Sequence, residues 1–298
     1  MEIEDQEEPA AEVTVCICTF RRSSVAAAIA SVATQSVPPP PIVVVDNDDT
    51  PSARATVEAA AAASGVNLRY VHAPARNISR ARNAALDATE TRWAALMDDD
   101  EVAAPGWLAA LMAERHSHAA VIGPAVALYP EQAPAWLRRC DFHSNRISGD
   151  PANAYTSNAL LDLALLRRLG LRFDEAYGQT GGEDTLFFRA LARAGGRIHY
   201  CPGAVVHEEV PPARATMRWV LRRRFRSGQT HGRQLSLFSP RAYRLLPATA
   251  LAKAAVAALV AAVLWPIDCR WRRWAARAAL HLGALHFTLT ASIHREYA

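Results

Sequence analysis

The sequence has few cysteines, and none of them forms a C-x-x-C pair. The five cysteines are an odd number, and Cys16 and Cys18 lie two positions apart in a strand-like run. At such positions we expect small buried residues rather than a disulfide framework, which fits a reducing cytoplasm. The first residues are acidic, where a secretory signal would be basic and then apolar, so we expect no signal peptide. No internal repeat is present.

The sequence also lacks a large excess of charge of one sign. It has 33 Lys and Arg against 29 Asp and Glu, a net charge of +4, which does not favour a nucleic-acid binder. Residues 1–11 are acidic without an apolar pattern and predict a disordered tail. The C-terminal third is rich in arginine, which indicates contact with lipid headgroups or phosphates, or else a solvated basic face.

Hydrophobic and helical runs alternate in the first hundred residues. Four short apolar runs, "EVTVCICTF", "PIVVVD", "NLRYVHA" and "RWAALM", are separated by three segments of helical pattern. This order predicts an α/β fold with a mostly parallel sheet and helices on both faces. Thr19, Asp46, Asp48 and the aspartates at 98–100 follow these strands, so we expect them to converge at the carboxyl edge of the sheet, where ligands bind.

The stretch "WAALMDDDEV" ends a buried strand in four consecutive acids. Asp98 and Asp100 point to the same side and form a hard oxygen site for Mg²⁺ or Mn²⁺; the alternative is a solvated acidic turn. An EF-hand in "DNDDTPSARATVE" is excluded because Pro51 occupies the glycine position. A phosphatase motif at 98–102 is disfavoured because three strands precede it.

Two further motifs carry candidate chemistry. In "GGEDTLFF", Glu183 and Asp184 follow two glycines at a helix start, where they serve either as suitable first-turn acids or as a general base. His207 in "VVHEEV" follows a strand-like run and is either a structural histidine or a third metal ligand.

The order of these motifs resembles the family 2 glycosyltransferases of the GT-A fold. It runs "VTVCICTF", "VVVDND", "ARNISRARNAALDA", the DDDE cluster, GGED and "VVHEEVP", and within the family it looks most like the bacterial exopolysaccharide enzymes of the succinoglycan type. The resemblance implies a GT-A (Rossmann-like) domain over residues 12–230. A C-terminal segment of amphipathic and hydrophobic helices, residues 231–298, would be membrane-associated.

The resemblance also implies roles for individual residues. Nucleotide-sugar binding falls to the strand-end and basic residues, metal binding to the outer aspartates and the histidine, and catalysis to the acids of GGED. The nucleotide set is Thr19, Asp46, Asp48, Arg76, Arg82, Asp98 and Asp99; the metal set is Asp98, Asp100 and His207; Asp184 is the base, with Glu183 beside the acceptor.

The family's processive members carry a Q-x-x-R-W signature, which this chain lacks because Ala215 stands where the Gln should precede Arg218 and Trp219. We therefore expect an inverting, metal-dependent hexosyltransferase that moves one sugar from a UDP-sugar, with UDP-glucose favoured, to a lipid-linked (polyprenyl diphosphate) saccharide. A non-catalytic nucleotide-sugar-binding scaffold is the alternative.

The apolar run at 245–267 has the length of a bilayer span but is mostly alanine and contains Lys253. Trp265, Trp271 and Trp274 with three nearby arginines resemble an interfacial belt. The sequence favours a surface or re-entrant hairpin at the cytoplasmic face of the inner membrane; one true span and a soluble helical pair are the alternatives.

Two smaller assignments stay open at the level of sequence. The arginines at positions 222, 223, 224 and 226 either cover the nucleotide, touch anionic lipid or form a solvated helix face. Trp107 and Trp136 either stack on acceptor sugar rings or pack in the interior.

Overall fold

The computed structural model describes residues 12–36, 38–147, 150–267 and 269–293. These residues form two compact units. The first unit comprises residues 12–126, 145–178 and 183–208, and the second comprises residues 127–144, 179–182 and 209–293, each without the gaps just named. The sequence resemblance predicts a boundary at residue 230 between the catalytic domain and the C-terminal helices. Compactness does not test that boundary, which stays a prediction.

Ten strands and ten α-helices are present among the described residues. The strands are β1 (Val13–Thr19), β2 (Ile42–Asp46), β3 (Leu68–His72), β4 (Trp93–Asp98), β5 (Glu101–Ala103), β6 (Ala120–Ile122), β7 (Ala125–Leu128), β8 (Asn158–Asp162), β9 (Ile198–Tyr200) and β10 (Val206–Glu209). The helices are α1 (Val25–Ala33), α2 (Arg54–Ser64), α3 (Ile78–Ala88), α4 (Trp107–Ala113), α5 (Ala135–Cys140), α6 (Leu163–Leu169), α7 (Glu183–Arg193), α8 (Met217–Phe238), α9 (Pro240–Leu264) and α10 (Trp271–Thr290).

A seven-stranded sheet organises the first unit, in the order β3-β2-β1-β4-β8-β6-β9. The first four strands are mutually parallel, and β8 runs antiparallel to both neighbours. A second, three-stranded sheet has the order β5-β10-β7. The mixed but mainly parallel sheet is the α/β fold that the alternating pattern predicts.

Two apolar clusters, one on each face of the sheet, form the core. Alternate β1 residues point to opposite faces, so Val15 and Ile17 belong to one cluster and Cys16 to the other. Helices α1 and α4 cover the first face, where Trp107 is fully buried; helices α3, α6 and α7 cover the second. With both faces covered, the β2 residues are all buried, which explains its unbroken apolar run.

The run "AVIGPAVALY" forms two strands in different sheets. Gly123 separates them, and a Cβ at this position would lie 2.0 Å from the carbonyl oxygen of Ala204. Pro124, which follows, has no N–H to donate to a ladder. The chain therefore leaves one sheet at this dipeptide and enters the other.

The second unit is built around α8, α9 and α10. Helices α8 and α10 approach so closely that a Cβ on Gly228 would lie 1.9 Å from the Leu280 carbonyl oxygen, and one on Gly283 would lie 1.8 Å from that of Phe225. Glycine at both positions is what allows the two backbones to meet. Helix α9, of 25 residues, is the one described helix that is long and apolar enough, by length and composition, to cross a membrane.

Candidate active site

Three predicted site residues lie at neighbouring strand ends. The register pairs Cys18 with Asp98, Thr19 with Asp46, and Asp46 with His72. Because β3, β2, β1 and β4 are parallel, their carboxyl ends form one edge of the sheet. The structure thus brings Thr19, Asp46 and Asp98 together at one edge, as the alternation of strands and helices predicts.

The acidic turn after β4 is held from within. Glu101 is buried, and its carboxylate accepts a hydrogen bond from the Asp98 backbone N–H at 3.0 Å. Asp99 is also buried and accepts from the Thr19 hydroxyl at 2.7 Å. Burial raises the pKa of Asp99 to about 6 and that of Glu101 well above its usual range. These two acids therefore shape the turn, and Asp98 and Asp100 are the more accessible pair.

Two arginines supply positive charge to this turn. Arg22, from the loop after β1, contacts Asp99 at 3.1 Å and also pairs with Asp100. Arg82, from α3, is buried and lies 3.7 Å from Asp98. The repulsion among the consecutive acids is thus relieved partly by raised pKa values and partly by these guanidinium groups.

Arg82 also connects the acidic turn to the GGED segment. Its Nη1 atom lies 2.5 Å from Glu183 Oε1, and both side chains are at least 90% buried. The other carboxylate oxygen, Glu183 Oε2, is buried and has no hydrogen-bond partner among the described residues. Glu183 is therefore held by a buried ion pair while one of its acceptor atoms stays available.

Asp184 begins α7 next to this ion pair. The two described hydrogen bonds to its carboxylate both reach Oδ1, from the Thr185 N–H at 2.6 Å and the Thr185 hydroxyl at 3.3 Å. Burial, followed by the charge of Glu183, raises the pKa of Asp184 to about 7, and Arg82 opposes this rise. A carboxyl group with a pKa near neutrality, and with one oxygen that Thr185 does not occupy, has the properties of a general base.

The loop after β2 is ordered by the acids that the sequence assigns to the nucleotide. Asp46 is fully buried and accepts from Tyr70 OH at 2.7 Å, from Ala53 N–H at 2.9 Å and from Asp48 N–H at 3.0 Å. Asp48 pairs with Arg21 at 2.8 Å, which holds the pKa of Asp48 well below its usual range. Asp46 thus fixes the loop that carries Asp48.

Arg76 lies in the segment between β3 and α3. Its backbone N–H donates to the Asn47 carbonyl at 3.2 Å, and its exposed side chain pairs with Asp49. Arg76 therefore belongs to the same edge as Asp46 and Asp48. Arg82, by contrast, reaches the acids at Asp98 and Glu183.

His207 lies on β10, which pairs with β5 so that His207 is opposite Val102 and Glu208 is opposite Glu101. This register places His207 beside the segment that follows Asp100. Its Nδ1 atom is buried and has no hydrogen-bond partner among the described residues. A buried imidazole nitrogen without a partner among the described residues has the donor chemistry that suits a divalent ion.

The described residues contain no preformed cluster of three or more metal-binding side chains. Asp100 instead contacts Arg22, and Asp98 lies near Arg82. Two carboxylates and an imidazole are suitable metal ligands. In this structure the positive charge beside the carboxylates comes from the Arg22 and Arg82 guanidinium groups.

Tryptophan stacking on an acceptor is not supported for Trp107. This side chain is fully buried, and its indole N–H donates to Asn158 Oδ1 at 2.8 Å. Trp136 is half-buried and contacts Phe142 and Arg272 within the second unit. The packing alternative therefore describes Trp107.

Comparison with known proteins decides the family. The profile of glycosyl transferase family 2 matches residues 14–168, and that of glycosyl transferase family group 2 matches residues 93–292. The succinoglycan biosynthesis protein ExoM of Rhizobium meliloti (strain 1021) is 41% identical over 285 residues, 92% of this chain and 91% of that protein. This chain belongs to the family 2 glycosyltransferases.

Solved structures agree with the GT-A fold of this glycosyltransferase. The mannosyltransferase PcManGT from Pyrobaculum calidifontis, in complex with GDP-Man and Mn²⁺, superposes with a TM-score of 0.64 at 20% identity, covering 94% of this chain and 88% of that one. S. aureus TarS 1-349 in complex with UDP has a TM-score of 0.51 at 18% identity, covering 95% and 93%. At these identities the likeness concerns the fold alone.

Several residues of the site have no signal in the sequence pattern. Arg22 stands in a loop with three other polar residues, Tyr70 reads as an ordinary strand residue, and Glu101 reads as part of the acidic run. The only available signal is position: Tyr70 precedes the end of β3 by two residues and pairs with Val44, so it lies on the same face of the sheet as Asp46, two residues further along β2. The contacts of Arg22 and Glu101 could be recognised only from the tertiary structure.

Proposed function

We propose that this glycosyltransferase transfers a single hexose, with inversion, from a UDP-sugar to a lipid-linked saccharide. UDP-glucose is the proposed donor and a polyprenyl diphosphate saccharide is the proposed acceptor, in exopolysaccharide synthesis. The observation that carries the proposal is the link through Arg82, which contacts both Asp98 at the donor edge and Glu183 beside Asp184. One buried cation thereby positions both halves of a displacement reaction.

In the proposed arrangement the nucleotide lies along the carboxyl edge of β1, β2 and β4. The Asp46 and Asp48 loop lines the uracil, and Thr19 and Asp98 line the ribose and diphosphate. Thr19 contributes through Asp99, since its hydroxyl donates to that buried carboxylate. Arg76 and Arg22 are the nearby cationic groups for the diphosphate, Arg22 after exchanging its contact with Asp100.

Asp184 is proposed to remove the proton from the acceptor hydroxyl. That oxygen attacks the anomeric carbon from the face opposite the UDP, a new C–O bond forms, and the bond to the β-phosphate oxygen breaks. The bonding electrons leave with UDP, and the proton stays on Asp184 Oδ2, the oxygen that Thr185 leaves free. A single displacement of this kind inverts the configuration of the anomeric carbon.

Asp98, Asp100 and His207 are the proposed ligands of Mg²⁺ or Mn²⁺. Their fit rests on two carboxylates and on the buried Nδ1 atom of His207, which has no partner among the described residues. When bound, a divalent ion supplies stabilisation of the negative charge on the leaving diphosphate.

We place the enzyme at the cytoplasmic face of the plasma membrane. The support is the apolar helix α9, together with the excess of basic residues in the second unit. From Val210 to Ile293 the sequence contains fourteen Lys and Arg residues and one acid, Asp268. A basic surface of this kind favours anionic lipid headgroups.

The test of the transferase function is Asp184→Asn, measured by UDP release from a panel of UDP-sugars with a membrane lipid extract as acceptor source. We expect a rate loss of about 10²–10⁴-fold, the usual contribution of a general base, with UDP binding by calorimetry unchanged. The matched control is Asp174→Asn, because Asp174 is exposed and caps a short 3-10 helix in the preceding loop, a role that Asn also performs. Wild-type release by the Asp184→Asn variant would refute the base, and UDP binding without release by any wild-type sample would favour the scaffold.

A further inference from the structure

Helix α9 presents an apolar surface to its surroundings. Five of its large apolar side chains are more than half exposed, and so are two hydrophobic residues that follow the helix. The set is Leu245, Leu251, Val256, Leu259 and Val263 on the helix, with Trp265 and Ile267 after it. Buried alanines on the other side pack toward the unit, so the exposed residues form one outward face.

Three basic side chains, two of them cationic, lie in the middle of this apolar region. Lys253 of α9 and Arg277 and His281 of α10 line a groove of about 480 Å³ between the two helices. Trp274 forms part of its wall, and the Arg277 guanidinium lies 4.7 Å from the Trp274 ring centroid. The rest of the lining is alanine and valine from α9.

The groove has no acid to balance these cations. Among the described residues neither Lys253 nor Arg277 forms an ion pair, and the one acid in the sequence between Val210 and Ile293 is Asp268. Unpaired cations that converge on an open groove attract an anion, and arginine with lysine is a usual combination for phosphate. The groove therefore has the charge of a site for an anion, with apolar residues on both sides.

The position of the two cations also bears on how α9 is oriented relative to the bilayer. Lys253 is the fourteenth residue of α9, about 20 Å from its first residue in a helix about 37 Å long. If α9 crossed the bilayer, Lys253 and Arg277 would lie near the hydrocarbon centre without a partner, one of the costliest placements for a charge. With α9 in the interfacial plane, the apolar face enters the acyl region while the groove stays at headgroup depth.

We infer that the groove between α9 and α10 binds the phosphate of an anionic membrane phospholipid while the hairpin lies in the plane of the interface. Lys253 and Arg277 contact the phosphate oxygens, His281 donates a hydrogen bond, and the exposed leucines and valines of α9 contact the acyl chains. The inference deepens the membrane location proposed above, and it is independent of the transfer chemistry.

The test is sedimentation of the full chain with vesicles of phosphatidylcholine alone or with added phosphatidylglycerol, comparing two double variants. Lys253→Gln/Arg277→Gln removes the groove cations, and Arg241→Gln/Arg244→Gln removes the same charge from exposed residues near the start of α9. We expect the groove variant to lose about 25-fold in affinity for the anionic vesicles, about fivefold per cation, and the control to lose less than about fivefold. Equal losses in the two variants would mean diffuse attraction and would overturn the inference.

Two further arms fix the ligand and the orientation. In the first arm, polyprenyl phosphate replaces phosphatidylglycerol in the vesicles at equal charge, which distinguishes a phospholipid site from an acceptor site. Equal or weaker binding of the protein to the polyprenyl vesicles supports the phospholipid, and a strong preference for the polyprenyl lipid overturns that choice. A spin label at position 259 should report a depth just below the headgroups, and a label at the bilayer centre would refute the interfacial orientation. UDP release in detergent should be the same in both double variants, so failure of this site and failure of the transferase are separate results.

Discussion

Replacing Arg82 tests whether one buried cation holds the two halves of the site. Arg82 Nη1 lies 2.5 Å from Glu183 Oε1, and the two side chains are only 10% and 8% exposed. Removing one partner of a buried ion pair leaves an uncompensated charge and costs about 3–5 kcal/mol. Glu183 has no substitute partner, because its Oε2 atom is already without one among the described residues.

The expected effect of Arg82→Met is therefore a fall in melting temperature of roughly 6–20 °C, since a domain of this size loses about 2–4 °C per kcal/mol. The double variant Arg82→Met/Glu183→Met removes both charges and should recover most of this loss, because no buried charge is left unpaired. The assay is thermal unfolding by circular dichroism, with a sugar-transfer measurement on the same samples.

The control lies on the same helix. Arg80 pairs with Glu175 at 2.6 Å, but both side chains are more than half exposed, so Arg80→Met should cost less than about 1 kcal/mol. Activity should not recover in the Arg82/Glu183 double variant, because Asp98 has lost its counter-charge. An Arg82→Met protein within 1 kcal/mol of wild type, or a double variant as unstable as the single one, would refute the reasoning.

The remaining predictions concern the base, the metal and the second unit. Because the pKa of Asp184 is raised to about 7 and the base acts when ionised, kcat/KM should rise with pH up to about 7 and level above it, and a flat profile from pH 5 to 8 would contradict this. Because the pKa of Asp184 is raised in the folded state, its contribution to stability is fully present below the usual aspartate pKa and is lost as pH rises through about 7. Asp184→Asn should therefore be more stable to unfolding than wild type by about 1–3 kcal/mol between pH 5 and 8, a value reduced because the half-buried side chain is partly screened by solvent. Transfer should stop in excess EDTA and return with Mn²⁺ or Mg²⁺, and activity that survives chelation would refute the metal ligands. Gly228→Ala should destabilise the second unit by about 1–3 kcal/mol because its Cβ would meet the Leu280 carbonyl, whereas exposed Ser227→Ala should change stability by less than about 0.5 kcal/mol in the same melting assay.

The strand-end residues were predictable because their placement follows from periodicity alone. Four buried runs separated by helical segments require parallel strands, and parallel strands deliver Thr19, Asp46 and Asp98 to one edge. No knowledge of side-chain contacts enters that inference. The carboxyl edge of the sheet is therefore the part of the site that a sequence can locate.

The partners of those residues were not predictable in the same way. Arg22 comes from a loop, Arg82 from a helix and Tyr70 from a neighbouring strand, at separations of 16 to 101 residues from the carboxylates that they contact. Arginine is abundant in this sequence, so its presence does not mark a counterion. Which arginine reaches which acid depends on helix packing, which only the folded structure provides.

The C-terminal region shows the complementary limit. Length and apolar composition make residues 240–264 resemble a membrane span, and they do not reveal that Lys253 faces Arg277 and His281 across a groove. Those two side chains lie about 24 and 28 residues further along the chain. Composition measures how apolar a helix is, whereas orientation depends on which side its few charges occupy and what stands opposite them.

The acids of the turn after β4 and of GGED outnumber the guanidinium groups that pair with them, and this connects the fold to the proposed chemistry. Arg22 and Arg82 are the guanidinium groups paired with the acids of the turn and of GGED. Burial correspondingly raises the pKa values of Asp99, Glu101 and Asp184. A diphosphate brought to this edge adds further negative charge, so donor binding is favourable only if cations accompany it or Arg22 turns from Asp100 toward the phosphates. The sheet edge thus has the electrostatics expected of a site that would bind an anionic donor together with a cation. The proposed base, Asp184, has its charge suppressed by the same environment, so it would act as a base only when that cation and Arg82 offset the surrounding acids.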